Sequence, residues 1–146
     1  MNEPHYEFQE TDHIHVYHFI SLGKRNIPKQ VIFYPTEDLE NTYVLAFGDS
    51  LPDNTMDCYS DSNNGDIRFV MTTVFKIAVQ FLIKKPQARL LFWGSDQRRN
   101  SLYSYIITKN LDTLELSYDI YGIKENEEYE VFLPHCEYSS FIIKKK

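Results

Sequence analysis

The sequence predicts an α+β fold, with a mainly antiparallel sheet and two helices packed on one of its faces. Two observations carry this prediction. Strand-like segments are concentrated in the first third of the chain, and two longer segments with helical spacing follow them. The chain has 146 residues, 42% hydrophobic and 15% aromatic, which is enough apolar material for one folded core. We therefore predict a single domain over residues 1–146.

The first third of the chain predicts three short strands joined by tight connections, at residues 13–20, 29–34 and 42–47. Glycine, asparagine and charged residues at 23–26 form a turn signal, and Pro35 and Gly48 end the second and third strands. Because the connections are short, we expect an antiparallel meander.

A polar segment, residues 49–66, separates these strands from the first helix. It contains five aspartates and predicts a loop with a short strand near residues 56–59. Residues 67–83 then place apolar side chains at spacings of three and four, and Pro86 ends the helix that this pattern predicts. Since several faces of this helix are apolar, we expect it to be buried on several sides or to lie in an oligomer interface.

The second half continues with a short apolar run, residues 88–93, which is typical of a central strand. Gly94 and Ser95 follow as a turn, and residues 96–114 show the spacing of a second helix. The predicted element order is β-β-β-(β)-α-β-α-β-β. Residues 118–121 predict a strand after the second helix, and residues 129–133 and 140–144 are candidates for the strands that follow.

Composition excludes several classes of protein. Lys and Arg number 15 against 21 Asp and Glu, so the net charge of −6 argues against a strongly basic nucleic-acid binder. No apolar run approaches the 18 residues of a membrane span. The two cysteines form no CxxC pair, and neither a Walker A motif nor GxGxxG is present. We expect a cytoplasmic protein with no cofactor, no resident metal, and neither a membrane nor a nucleic acid as partner.

The segment at residues 93–103 predicts an anion site, because it combines a strand end, a glycine turn and a helix start. A helix N-terminus exposes unpaired N–H groups and carries partial positive charge. Arg98 and Arg99 in this first turn are therefore unfavourable by about 0.3–1 kcal/mol each, and a bound phosphate would offset that cost. The predicted site residues are Gly94, Ser95, Arg98, Arg99 and Tyr103.

A second interpretation of the same arginines stays open. Asp96 or carboxylates of the 49–66 segment would pair with them, since ion pairs at helix ends are common. Asp49 and Asp66 are also candidates for an acid–base or metal-binding role next to the anion site. The sequence identifies no catalytic residue, so it leaves open whether the protein is an enzyme.

Several motifs occur in a fixed order along the chain. They are residues 43–49 and 62–66, Gly94-Ser95 followed by Arg98, Arg99 and Leu102-Tyr103, and Tyr121-Gly122. As an ordered set they resemble a family of small bacterial proteins, known only as a domain of unknown function and found mainly in Bacteroidetes-type genomes. The resemblance extends over almost the whole chain. This chain departs from the family pattern at Asp96, where the family has Thr, and at residues 99–101, where the family has Arg-Thr.

The resemblance implies no established activity, but proteins of this size and distribution often belong to toxin–antitoxin or phage-defence systems. Two hypotheses follow. The first is a non-enzymatic module that binds a protein partner or a second copy of itself, as the apolar helix and the aromatic content suggest. The second is an enzyme or sensor that binds a nucleotide or another phosphate ligand at residues 94–103.

Overall fold

The computed structural model describes residues 3–11, 15–53, 55–57 and 63–146, and within them it contains nine strands and three helices. The predicted α+β class is confirmed, with all nine strands in one open sheet that is mainly antiparallel. In chain order the elements are β1 (Phe8–Glu10), β2 (Val16–Leu22), β3 (Asn26–Pro35), β4 (Thr42–Ser50), β5 (Met56–Asp57), α1 (Ile67–Lys84), β6 (Arg89–Phe92), α2 (Gln97–Lys109), α3 (Leu111–Leu114), β7 (Tyr118–Ile123), β8 (Tyr129–Val131) and β9 (Ser140–Lys145).

The sheet order is β1-β2-β3-β4-β6-β9-β7-β8, and β5 pairs with β4 beside this path. Strands β2, β3 and β4 form the predicted antiparallel meander. Strands β4 and β6 are parallel neighbours, with Tyr43 opposite Leu90, and α1 lies in the connection between them. The carboxyl ends of β4 and β6 therefore meet at the same edge of the sheet.

The core lies between the sheet and the two long helices. Phe81 of α1 stacks on Phe33 of β3, with ring centroids 4.0 Å apart. Tyr103 of α2 packs edge-on against Phe92 of β6, at 4.8 Å. Ten of the eighteen residues of α1 are buried, among them the polar Thr72. Burial within the chain thus covers most of the apolar surface of α1, while Phe69 and Ile83 stay exposed.

The structure differs from the predicted elements at a few places. The predicted helix at residues 96–114 is interrupted at Asn110, whose side-chain amide donates to the carbonyl of Ile106, so that α2 ends and the short α3 begins. Strand β1 was not predicted, because three residues are too short for a recognisable alternation. Residues 13–14 and 58–59 of the predicted strands lie outside the described residues. Among the described residues, no helix has both the length and the apolarity needed to cross a membrane.

Candidate ligand-binding site

A cavity of about 510 Å³ lies where β4 and β6 end, beside the first turns of α1 and α2. We call it the β4–β6 cavity. In open sheets, ligands bind in the crevice outside the carboxyl ends of parallel strands, where the helices that follow begin. The volume falls within the range of about 300–1,000 Å³ that is typical of small-molecule sites. Both the place and the size are therefore those of a ligand site.

Six of the seven residues that the sequence singled out line this cavity, although they come from three separate segments. They are Asp49, Asp66, Gly94, Ser95, Arg98 and Arg99.

The seventh predicted residue, Tyr103, is placed in the core and does not line the cavity. Its ring packs between Phe92 and Phe141, and its hydroxyl has no hydrogen-bond partner among the described residues. Burial raises the pKa of this hydroxyl well above the usual value, while the nearby Arg99 lowers it by a smaller amount. The phenol therefore stays neutral and belongs to the packing under the cavity wall.

The cavity lining mixes apolar and polar side chains. Leu45 and Val70 are buried, and Phe47 is partly buried against the core. Trp93, the single tryptophan of the chain, lines the cavity but is 47% exposed. A large aromatic side chain therefore borders the cavity with about half of its surface open.

Lys29 and Asp49 form an ion pair in the wall of the cavity. The two residues are opposite each other in the register of β3 and β4, so their side chains lie on the same face of the sheet. Lys29 Nζ lies 2.5 Å from Asp49 Oδ1, and the two side chains are 8% and 18% exposed. Asp49, a candidate for acid–base or metal chemistry, therefore has a structural partner. Within the described residues no group of three or more His, Cys, Asp or Glu could hold a metal ion.

Asp66 is held by hydroxyl groups from two distant segments. Its Oδ2 accepts hydrogen bonds from Tyr6 Oη at 2.6 Å and from Ser21 Oγ at 2.5 Å, and it makes no side-chain cap to α1. Burial, followed by the hydrogen bond to Asp66, raises the pKa of Tyr6. The described residues leave Asp66 Oδ1 without a hydrogen bond. One oxygen of this cavity-lining carboxylate is therefore fixed and the other is available.

Asn64 fixes the loop that carries Asp66. Its side-chain amide donates to Ser21 Oγ and to the carbonyl of Arg25, and its side-chain oxygen accepts from the N–H of Arg25. A β-carbon on Gly23 would overlap the backbone oxygen of Asn64, so the turn between β2 and β3 needs glycine to approach this loop. The cavity wall is therefore tied to the first meander turn.

The start of α2 satisfies much of its own hydrogen bonding. Asp96 is the N-cap, and its side chain accepts from the N–H of Arg99 at 2.9 Å and pairs with the guanidinium at 2.6 Å. Asn100 accepts from the N–H of Gly94 at 2.7 Å, and a β-carbon on Gly94 would overlap the first turn of α2. The interpretation that Asp96 pairs with an arginine is thus correct for Arg99.

Arg98 differs from its neighbour. Its side chain is exposed, lines the cavity, and forms no ion pair with any described residue. The backbone N–H groups of the first two helical residues, Gln97 and Arg98, also lack intrahelical partners, as in every helix. An unpaired positive charge and two free donors are therefore available at this end of α2.

Lys29 and Trp93 line the cavity but were not among the predicted site residues. For Trp93, the signal that could have located it is the strand–helix–strand order of β4, α1 and β6, which is typical of parallel neighbours. Parallel pairing would have directed attention to whatever follows each strand, including Trp93 after β6.

The fold and the cavity define an α+β protein whose two long helices both begin beside one crevice, at the carboxyl ends of β4 and β6. The chain belongs to the family of unknown function DUF6934, whose family model matches residues 2–146. The expected membership of a family of unknown function is thereby confirmed. The chain matches no curated protein and no solved structure.

Proposed function

We propose that the protein is a sensor or binding protein for a small anionic metabolite, which occupies the β4–β6 cavity. The observation that carries this proposal is the exposed, unpaired guanidinium of Arg98 at a cavity of suitable size. Arginine recognises phosphate and carboxylate groups through two parallel N–H donors. Ser95, which lines the cavity, and the N–H groups of Gln97 and Arg98, which lack intrahelical partners, would supplement it.

The charges around the cavity indicate how much negative charge the ligand carries. Lys29 is neutralised by Asp49, and Arg99 is neutralised by Asp96. Among the described residues that line the cavity, Arg98 is the remaining cation, and Asp66 also lines the cavity with hydroxyl donors as partners. One anionic group, such as a single phosphate, therefore fits the site better than a polyphosphate.

We extend the proposal to the cellular setting on the strength of the motif resemblance. The protein would act in the cytoplasm of a bacterium of the Bacteroidetes type, within a toxin–antitoxin-like or phage-defence system. A metabolite-binding regulator has a clear place in such a system, because ligand occupancy would change its stability or its affinity for a partner.

A thermal-shift assay with inorganic phosphate, sugar phosphates and nucleotides tests the proposal. A ligand that binds the folded state raises Tm, by mass action, in proportion to its occupancy. We expect at least one phosphate compound to raise Tm, and the Arg98→Ala variant to lose that increase. Arg89→Ala is the matched control, because Arg89 is also exposed but lies outside the cavity. The absence of a shift with every compound would contradict the proposal.

A second candidate function, a protein-binding module, is favoured by one feature of the sheet. On the face away from α1 and α2, apolar residues are opposite one another in register across six neighbouring strands. None of them is fully buried. This apolar row consists of Tyr34, Val44, Leu91, Ile142, Tyr121 and Val131.

Light scattering after size exclusion tests whether the apolar row mediates self-association. If it does, the wild type forms a dimer or larger assembly, and Leu91→Lys converts it to a monomer. Lysine at Gln80, a part-buried position on α1 at the other face of the sheet, is the control and leaves the assembly intact. A monomeric wild type at all concentrations would exclude self-association through this face.

A further inference from the structure

We infer that the ligand of the β4–β6 cavity is a nucleoside monophosphate, with its base against Trp93, its sugar hydroxyls at Asp66 and its phosphate at Arg98. This inference rests on the proposed function and specifies the ligand class. Each of the three groups carries a separate part of the argument.

Trp93 provides the reason to expect an aromatic ligand. It is 47% exposed and lines the cavity. An exposed indole face at a cavity is a stacking surface for a flat ring, and every nucleobase offers such a ring. Stacking on an aromatic side chain strengthens binding by a factor of about 5 to 150. A sugar phosphate or an aliphatic acid would leave this face unused.

Asp66 provides the reason to expect hydroxyl groups on the ligand. A carboxylate has about four acceptor positions, and Tyr6 and Ser21 occupy two of them, both on Oδ2. Oδ1 is therefore free to accept from a ligand, and its position is fixed by the two hydroxyl bonds. Carboxylates bind ribose hydroxyls in other nucleotide sites, where they accept hydrogen bonds from them.

Arg98 indicates how many phosphate groups the ligand carries. One unpaired guanidinium matches one phosphate group through two N–H donors. The neighbouring Arg99 is already paired with Asp96. A triphosphate would bring charge that no described group of the cavity is free to balance, so a monophosphate is the better fit.

The single tryptophan makes the site directly observable, because its fluorescence arises at the cavity wall. The protein is titrated with AMP, GMP, CMP and UMP, with the corresponding triphosphates, with ribose 5-phosphate, and with inorganic phosphate. We expect saturable changes with at least one nucleotide, and an affinity for ribose 5-phosphate at least about fivefold weaker. Calorimetry repeats the titrations without relying on fluorescence.

Two variants separate the roles of base and phosphate. In Trp93→Leu, calorimetry should show nucleotide binding weakened by about fivefold or more, with ribose 5-phosphate binding unchanged. In Arg98→Ala, binding of both compounds should weaken by about tenfold or more, because both share the phosphate. Arg89→Ala should bind like the wild type. Urea unfolding of each variant verifies that it is folded.

The outcomes distinguish the inference from the proposed function. If ribose 5-phosphate binds as tightly as the nucleotides, or if Trp93→Leu weakens both equally, the nucleotide inference is overturned while an anion site remains. If no compound of the series binds, both are overturned. If a triphosphate binds more tightly than its monophosphate, the assigned phosphate number is wrong.

Discussion

Removing one member of the Lys29–Asp49 ion pair should destabilise the protein more than removing both. At 2.5 Å and an effective dielectric constant of about 20, the attraction is about 6–7 kcal/mol before desolvation. Burying each ion costs several kcal/mol, so the net contribution of the pair is small. A single substitution, by contrast, leaves the other charge without its partner, which costs about 3–5 kcal/mol in a closed interior.

The position of the pair reduces this cost. Asp49 is 18% exposed and lines the cavity, so water can partly solvate a charge left behind. We therefore expect losses of about 2–3 kcal/mol for Lys29→Met and for Asp49→Leu alone. The double variant should lie within about 1 kcal/mol of the wild type, which makes the coupling energy about 3 kcal/mol or more.

Urea unfolding at pH 7, followed by far-UV circular dichroism, measures these free energies. The exposed pair between Lys84 and Glu10 is the control, since its side chains are 44% and 23% exposed. Its single variants should lose less than about 1 kcal/mol. If the losses at Lys29 and Asp49 simply add in the double variant, the two charges do not act as a pair and the reasoning is refuted.

Three further predictions concern the elements around the cavity. Gly94→Ala places a methyl group against the first turn of α2, so we expect the free energy of unfolding to fall by about 1–3 kcal/mol, with a lower Tm in a thermal scan. An unchanged Tm would show that the turn tolerates a side chain. Asn64→Ala removes three buried or part-buried hydrogen bonds, so its free energy of unfolding in urea should be lower by about 2–3 kcal/mol. The control Asn126→Ala, at an exposed residue, should be lower by less than about 1 kcal/mol. Equal losses would contradict the anchoring role of Asn64. Burial raises the pKa of Tyr103, so the folded state holds this proton more tightly than the unfolded state. The contribution of Tyr103 to the free energy of unfolding is therefore fully present below about pH 10 and is lost as the pH rises above it. In Tyr103→Phe, the urea midpoint should decline less steeply between about pH 9 and 11 than in the wild type. Identical alkaline profiles would refute this.

The helices and strands could be predicted because each depends on local spacing. The apolar rhythm of residues 67–83 and the stop at Pro86 predict α1 closely, and it is observed at Ile67–Lys84. The place of β9 between β6 and β7 could not be predicted, because it depends on pairings between residues about fifty positions apart, such as Arg89 with Lys144.

The candidate site also combines residues that local sequence identifies with residues that only the fold brings together. Gly94, Arg98 and Arg99 were identified because two cations in a first helical turn are a local anomaly. Trp93 was not singled out, since nothing in the sequence distinguishes it from a core tryptophan. Tyr103 lies one helical turn after Arg99, on the same side of α2. Arg99 lines the cavity, whereas Tyr103 is buried in the core and does not line it.

The two arginines that suggested an anion site are balanced in different ways, and this difference determines what a ligand can contribute. Asp96 caps α2 and neutralises Arg99, so the helix start carries its own counter-charge. The Gly94 N–H and the Arg99 N–H are also occupied, by Asn100 and Asp96. At the helix terminus a ligand would therefore meet the N–H groups of Gln97 and Arg98, and not those of Gly94 and Arg99. In the proposed site, recognition would rest on the guanidinium of Arg98 and on the side chains of Trp93 and Asp66, which also line the cavity.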